Sequence, residues 1–205
     1  MTTVSLAMVK DVDMVENILA VYEYMRTNST PLDLHNAIAW YPKARIMCAE
    51  MAEALEIPPH IFVGIVAACS PRLHWNRNIG VAMSVIHRLR HDMDGIGLMV
   101  TGVNFAKCRR MYNGENPLDV LGPKTKNFYK NIMGGTDNVT IDAHACNVAL
   151  NGLQGKASGD IAPAPNAYST IAQAYIDAAL SLGIEPAELQ AVTWGFYAAN
   201  KGRVK

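Results

Sequence analysis

The chain has 205 residues, enough for one sizeable core or two small lobes. Half of them are hydrophobic, which excludes a disordered polypeptide. Lys plus Arg and Asp plus Glu are both 18, so no net charge draws the whole molecule to nucleic acid, and such a partner requires a local basic face.

In chain order, "VDMVENILAVYEYM" has apolar residues at helical spacing. "NSTPLDLHNAIAWYPKARIMCAEMAEAL" follows, with Asp33 as an expected N-cap and Pro42 as a break or first turn before a helix over Ala44–Leu55. "PPHIFVGIVAACSP" lies between prolines and is apolar nearly all round, so it is predicted to be a central buried helix. "NRNIGVAMSVIHRLRH" is amphipathic, with Arg88, Arg90 and His91 late, where the helix dipole favours cations. "DGIG" is a turn, and "TGVNFAKCRRMYNG" is a helix stopped by Asn113-Gly114. "NPLDVL" is a short helix, Gly122-Pro123 a turn, and "KTKNFYKNIM" a helix ended by Gly134-Gly135. "IDAHACNVALNG" opens a helix near Asp142, and "LQGKASGDIAPAPNA" reads as a loop. "AYSTIAQAYIDAALSLG" is strongly helical, and "EPAELQAVTWGFYAANKG" closes the chain with Pro186 in a first turn. No stretch alternates with period two. The expectation is an all-α protein of about nine or ten helices.

Cys48, Cys69, Cys108 and Cys146 lack the spacing of a zinc or iron–sulfur site, so buried thiols in a reducing compartment are expected, with no metal. Asp11, Asp13 and Glu16 interrupt the N-terminal region where a signal peptide needs an apolar core. The longest apolar stretch is too short to span a bilayer, so a soluble, cytoplasmic protein is expected, with no membrane partner.

Three groups of residues carry chemistry. Lys124 follows the Gly-Pro turn at a helix start. It reads as a solvated lysine, a phosphate contact or a nucleophilic amine. Asp142 reads as an N-cap, as a carboxylate able to stabilise a developing cation, or as both. "SPRLHWNRN" gathers Arg72, His74, Trp75 and Arg77 in a short inter-helix loop; Trp75 either enters the core or stacks on a base. Lys107, Arg109, Arg110, Lys124, Lys126 and Lys130 form a basic set that is either a solvated face or a phosphate-binding one. "HDMD" and "DGIG" are too short to argue a metal or a dinucleotide site.

A helix, a glycine turn, a helix opening with lysine, a Gly-Gly stop and an aspartate before the next helix occur in that order. In "GPKTKNF" and "TIDAH" the chain resembles the helix-hairpin-helix DNA glycosylase superfamily, the endonuclease III-like enzymes. The similarity covers about Glu56 to Trp194, with "PPHIFVGIVAACSPRLHWNRNIGVA" like the family's wedge-loop region and "ELQAVTWGFYAAN" like its late tryptophan helix. "DVLGPKTK" is contracted, with one glycine in the hairpin, and the family's iron–sulfur cysteines have no counterpart. The resemblance implies a single two-lobed helical domain over 1–205, with its hairpin at about 116–131 and a catalytic cleft between the lobes. It implies Lys124 as nucleophile and Asp142 as activating carboxylate. Gly122, Pro123, Thr125 and Lys126 would hold DNA at the hairpin, and Arg72, His74, Trp75 and Arg77 at the wedge loop. Phe128, His144, Trp194 and Tyr197 are candidates for the base pocket, though His144 also reads as a packing histidine. The implied activity is excision of a damaged or modified base from double-stranded DNA with AP-lyase action, by a monomer without cofactor. Two other readings stand beside it: group transfer on hypermodified pyrimidines in DNA, and a non-catalytic DNA-binding or protein-interaction module.

Overall fold

In the computed structural model, residues 2–153 and 161–199 are described. The chain is predominantly helical, with twelve helices and two three-residue strands among the described residues. It forms two compact units, one from Met1–Lys43 with Gly134–Lys205 and one from Ala44–Met133.

The first unit begins with β1 (Thr2–Val4) and α1 (Leu6–Val9), then α2 (Met14–Asn28) and α3 (Pro31–Ile38). Asp13 caps α2, its carboxylate accepting from the Glu16 N–H at 3.0 Å. The α3 cap is Thr30 rather than the expected Asp33. Pro31 takes the first helical position and has no N–H to offer, so the cap falls one residue before it. Thr30 Oγ1 accepts from the Asp33 N–H (3.1 Å) and donates to Asp33 Oδ2 (2.7 Å), a reciprocal cap.

The unit resumes after residue 133 with α10 (Ala143–Asn151), β2 (Ile161–Pro163), α11 (Pro165–Leu182) and α12 (Pro186–Ala199). The core interleaves both chain segments: Ile18 and Val21 of α2 lie with Ala145 and Val148 of α10, Ile171 and Tyr175 of α11, and Leu189 and Val192 of α12, all buried. β1 and β2 pair in parallel, Thr2 opposite Ile161 and Val4 opposite Pro163. No strand was expected. Three residues are too few to show an alternating pattern, and the partners are remote in sequence. Part of the loop expected between α10 and α11 falls on residues 154–160, outside the described residues, and the rest of it holds β2.

α4 (Trp40–Ala54) has Pro42 in its first turn, and the boundary between the units falls within this helix. The second unit then holds α5 (Pro59–Cys69), α6 (Trp75–Arg90), α7 (Gly102–Tyr112), α8 (Pro117–Val120) and α9 (Pro123–Ile132). α5 is the central helix, as its uniform apolarity predicts. Every residue from Ile61 to Cys69 is buried, and α6, α7, α8 and α9 pack on it. Gly64 permits a close approach: a Cβ there would lie 2.9 Å from Met111 Sδ and 3.0 Å from the Pro117 ring. All four cysteines are buried and reduced. Cys69 and Cys108 have their sulfurs 3.9 Å apart, and burial pushes the Cys48 thiol up to about 12. No single helix among the described residues is long and apolar enough to cross a membrane.

Candidate active-site residues

Asp142 is the N-cap of α10 in extended backbone conformation. Its Oδ1 accepts from the N–H groups of His144 and Ala145, both at 2.9 Å. A cap needs no more than that. Its Oδ2 additionally accepts from the indole Nε1–H of Trp194 on α12, at 3.1 Å. The Trp194 ring in turn meets the His144 imidazole edge-on, with centroids 5.2 Å apart. Trp194 remains 37 % exposed and Asp142 half-buried, so the group is fixed yet open to a ligand.

The segment leading into Asp142 is clamped by a buried phenol of α11, and two further buried phenols lie nearby. Tyr168 Oη donates to the Val139 carbonyl (3.1 Å) and accepts from the Ile141 N–H (3.2 Å). Tyr175 Oη donates to the Ala145 carbonyl at 3.4 Å, and Tyr41 Oη donates to Gln190 Oε1 at 2.8 Å. Burial raises the Tyr41 and Tyr175 hydroxyls well above the usual phenol range, and the Asp142 charge adds to it. Both therefore stay protonated donors. These tyrosines escaped the sequence reading, because the only signal was a phenol on an apolar helix face that needs a partner somewhere. Tyr197, a pocket candidate, is instead a core residue: it is 1 % exposed and donates to the Gly152 carbonyl at 2.8 Å.

In the other unit, α8, Leu121-Gly122 and α9 form the short hairpin. Asn116 caps α8, accepting from the Leu118 N–H at 2.9 Å. Gly122 caps α9 with ordinary extended backbone, and a Cβ there would meet nothing within 4 Å. Neither conformation nor crowding requires glycine at this point. Its carbonyl accepts from the Lys126 N–H (2.7 Å) and the Thr125 hydroxyl (3.1 Å), so the Thr125 proton is turned back into the hairpin. Pro123 is exposed at the first helical position. Lys124 comes second and is half-buried; Phe128 stands four residues on, on the same face of α9.

Phe128 meets Trp75 edge-on, with centroids 6.5 Å apart. α9 and the first turn of α6 are thus joined through two aromatic rings; Trp75 and Arg77 belong to α6 rather than to the expected "SPRLHWNRN" loop, because the helix starts directly after its His74 cap. In that loop the Leu73 N–H donates to the Ser70 carbonyl at 3.2 Å, and Arg72 holds a left-handed φ of 66°. Pro at the second position and a positive φ at the third make a type II turn that would favour glycine where Arg72 stands. Arg72, His74 and Arg77 are exposed. The basic set is partly spent: Arg110 forms a 2.6 Å ion pair with Glu115, and Arg109 lies over the Phe105 ring.

The structure therefore brings together Asp142, His144 and Trp194 in one unit, and Phe128 and Trp75 in the other, with Lys124 one turn before Phe128 on α9. Among the described residues, no group of three or more His, Cys, Asp and Glu could hold a metal ion. Residues 2–201 match DUF7178, a family of unknown function, and the chain belongs to that family. No curated protein and no solved structure matches it significantly.

Proposed function

We propose that this member of the DUF7178 family is a DNA glycosylase with AP-lyase activity, of the helix-hairpin-helix type, acting inside the cell on a damaged or modified base in double-stranded DNA. The observation that carries the reading is Asp142: a half-buried carboxylate fixed by three donors, one of them an indole that no cap requires. Such a group suits a reaction in which positive charge develops at C1′ as the bond to the base breaks. The target nucleotide has to leave the stack to be reached.

Lys124 supplies the amine. Its Nζ bonds to C1′ as the C1′–N bond breaks, the base leaves with a proton, and ring opening gives a Schiff base that can eliminate the 3′ phosphate. Phe128, His144 and Trp194 offer rings on which an extruded base can stack. Arg72 on the turn before α6, Arg77 in the first turn of α6 and Lys126 on α9 would neutralise phosphates, so binding should weaken as salt rises.

The test is incubation with duplexes carrying a panel of damaged and modified bases, with base release and strand cleavage scored separately. Borohydride added during turnover should trap a covalent protein–DNA adduct in the native protein and none in Lys124→Ala. Binding without base release on any duplex would leave a DNA-binding module and refute the enzyme. An adduct that persists in Lys124→Ala would move the nucleophile elsewhere.

A further inference from the structure

α6 packs one face on α5 and turns the other to solvent. Val81, Ala82, Val85 and Ile86 are buried, whereas His87 and His91 are exposed. The two histidines stand one turn apart, and the His91 N–H donates to the His87 carbonyl at 3.2 Å. Their rings meet on the surface, with centroids 4.6 Å apart and planes inclined at 58°. Among the described residues, neither imidazole takes part in a hydrogen bond or an ion pair. The charged groups around them are engaged elsewhere. Arg88 Nη1 donates to the Asp94 carbonyl at 3.3 Å and lies 3.7 Å from the Asp94 carboxylate, which also accepts from the Ile96 N–H at 3.0 Å. Arg90 Nη2 donates to the Leu55 carbonyl. Asp94 of "HDMD" is thus committed, and the group that faces His91 is His87, which lies outside that motif.

We propose that His87 and His91 form a surface site for a divalent transition-metal ion of the Zn²⁺, Ni²⁺ and Cu²⁺ class, with water in the remaining positions. Two imidazole nitrogens on one tetrahedral ion, each at about 2.0–2.1 Å, stand about 3.3 Å from one another. Rings with centroids 4.6 Å apart on one helix face reach that spacing by small side-chain rotations. Imidazole selects these ions over Mg²⁺ and Ca²⁺, which take oxygen ligands. The pair lies in the last turn of α6, whose unpaired carbonyls favour a cation. Packing on α5 holds the helix, so both ligands rise from a rigid base. Chelation across the turn closes the end of α6, where a helix otherwise frays. The buried cysteines take no part. The proposal is independent of the glycosylase reading.

Calorimetric titration of the full chain with Zn²⁺, Ni²⁺, Cu²⁺ and Mg²⁺ tests it. The three transition metals should bind, Cu²⁺ tightest, and Mg²⁺ should not. His87→Ala and His91→Ala should each weaken Zn²⁺ binding at least about tenfold, since even losing a group that only orients a ligand costs about 10–100-fold. Zn²⁺ should raise the melting temperature of the native chain and leave that of either variant unshifted. Both side chains are exposed, so without metal the variants should melt with the native chain. His60→Ala, at an exposed histidine of α5, should bind Zn²⁺ as the native chain does. Absence of Zn²⁺, Ni²⁺ and Cu²⁺ binding would overturn the proposal. So would a Zn²⁺ affinity unchanged in both variants, or an equal loss in His60→Ala, or Mg²⁺ bound as tightly as Zn²⁺.

Discussion

Asp142 and Lys124 are positioned by opposite means. Asp142 accepts from two backbone N–H groups of its own helix and from an indole of another, and the strand of chain before it is clamped by Tyr168. Lys124 owes its place to backbone alone: a cap without a side chain, a proline at the first helical position and the α9 axis. A carboxylate that must meet charge at one atom gains from being fixed in advance. Under the proposed reaction a long-stemmed amine that travels to a carbon gains from a fixed root. The two sites therefore fail differently when altered.

The sharpest break comes at Asp142. Asp142→Asn retains an oxygen for the two cap donors, but it then sets an NH₂ against the Trp194 N–H, two donors facing one another. The fold should survive with a loss of about 1 kcal/mol. Base release should fall on the order of 10²–10³-fold, the usual cost of removing such an electrostatic partner. Single-turnover rates, melting temperature and DNA affinity on one preparation measure this. Unchanged base release would reduce Asp142 to a cap. Under the proposed reaction some action on pre-formed abasic DNA should remain in this variant, because Lys124 would still meet a ready-made aldehyde.

In the Lys124 unit the largest structural effect should come from the root of the hairpin. Gly64→Val must displace Pro117, the first residue of α8 and a rigid ring, and overpacking of that kind costs about 1–3 kcal/mol. Urea denaturation reads it directly. An unshifted midpoint would mean that α8 yields freely and does not brace the hairpin.

Arg72→Gly separates strain from function. Removing a left-handed φ from a residue with a Cβ should stabilise the fold by about 1 kcal/mol, while abasic-duplex binding weakens through the lost cation. If both stability and binding fall, the turn needs the arginine side chain for its own structure.

The smallest effect concerns pH. Burial, and secondarily Glu185, raise the Glu188 carboxyl above the usual range. The folded state thus keeps this proton to higher pH than the unfolded chain does. Its contribution is present at acid pH and is lost as pH rises through the folded value. Glu188→Gln should flatten that part of the stability–pH curve and raise neutral-pH stability slightly, a trend that melting curves at pH 4 and pH 7 would show.

What was legible followed from local rules. The all-round apolar run of α5, the cap position of Asp142 and the stop of α7 at Asn113-Gly114 are each set by residues within one or two turns. What was not legible links distant positions. The Trp194–Asp142 bond spans two helices, and neither residue signals the other. The β1–β2 pair is too short to show a pattern. Asp33 was misplaced by three residues because Thr and Asp compete for the same cap, and Pro31 decided between them.

The parallel pairing of β1 with β2 has a consequence for how the molecule is made. Residues 2–4 are made well before their partners, residues 161–163, and the core around Ile18 waits for Leu189 and Val192 of α12. The Ala44–Met133 unit is continuous and largely closed by near neighbours in sequence. Synthesis at about 5–20 residues per second leaves it seconds in which to consolidate before the interrupted unit holds all its parts. α1, α2 and α3 are thus kept without a core until α12 has been made, and their exposed apolar faces are where a holding chaperone would be needed.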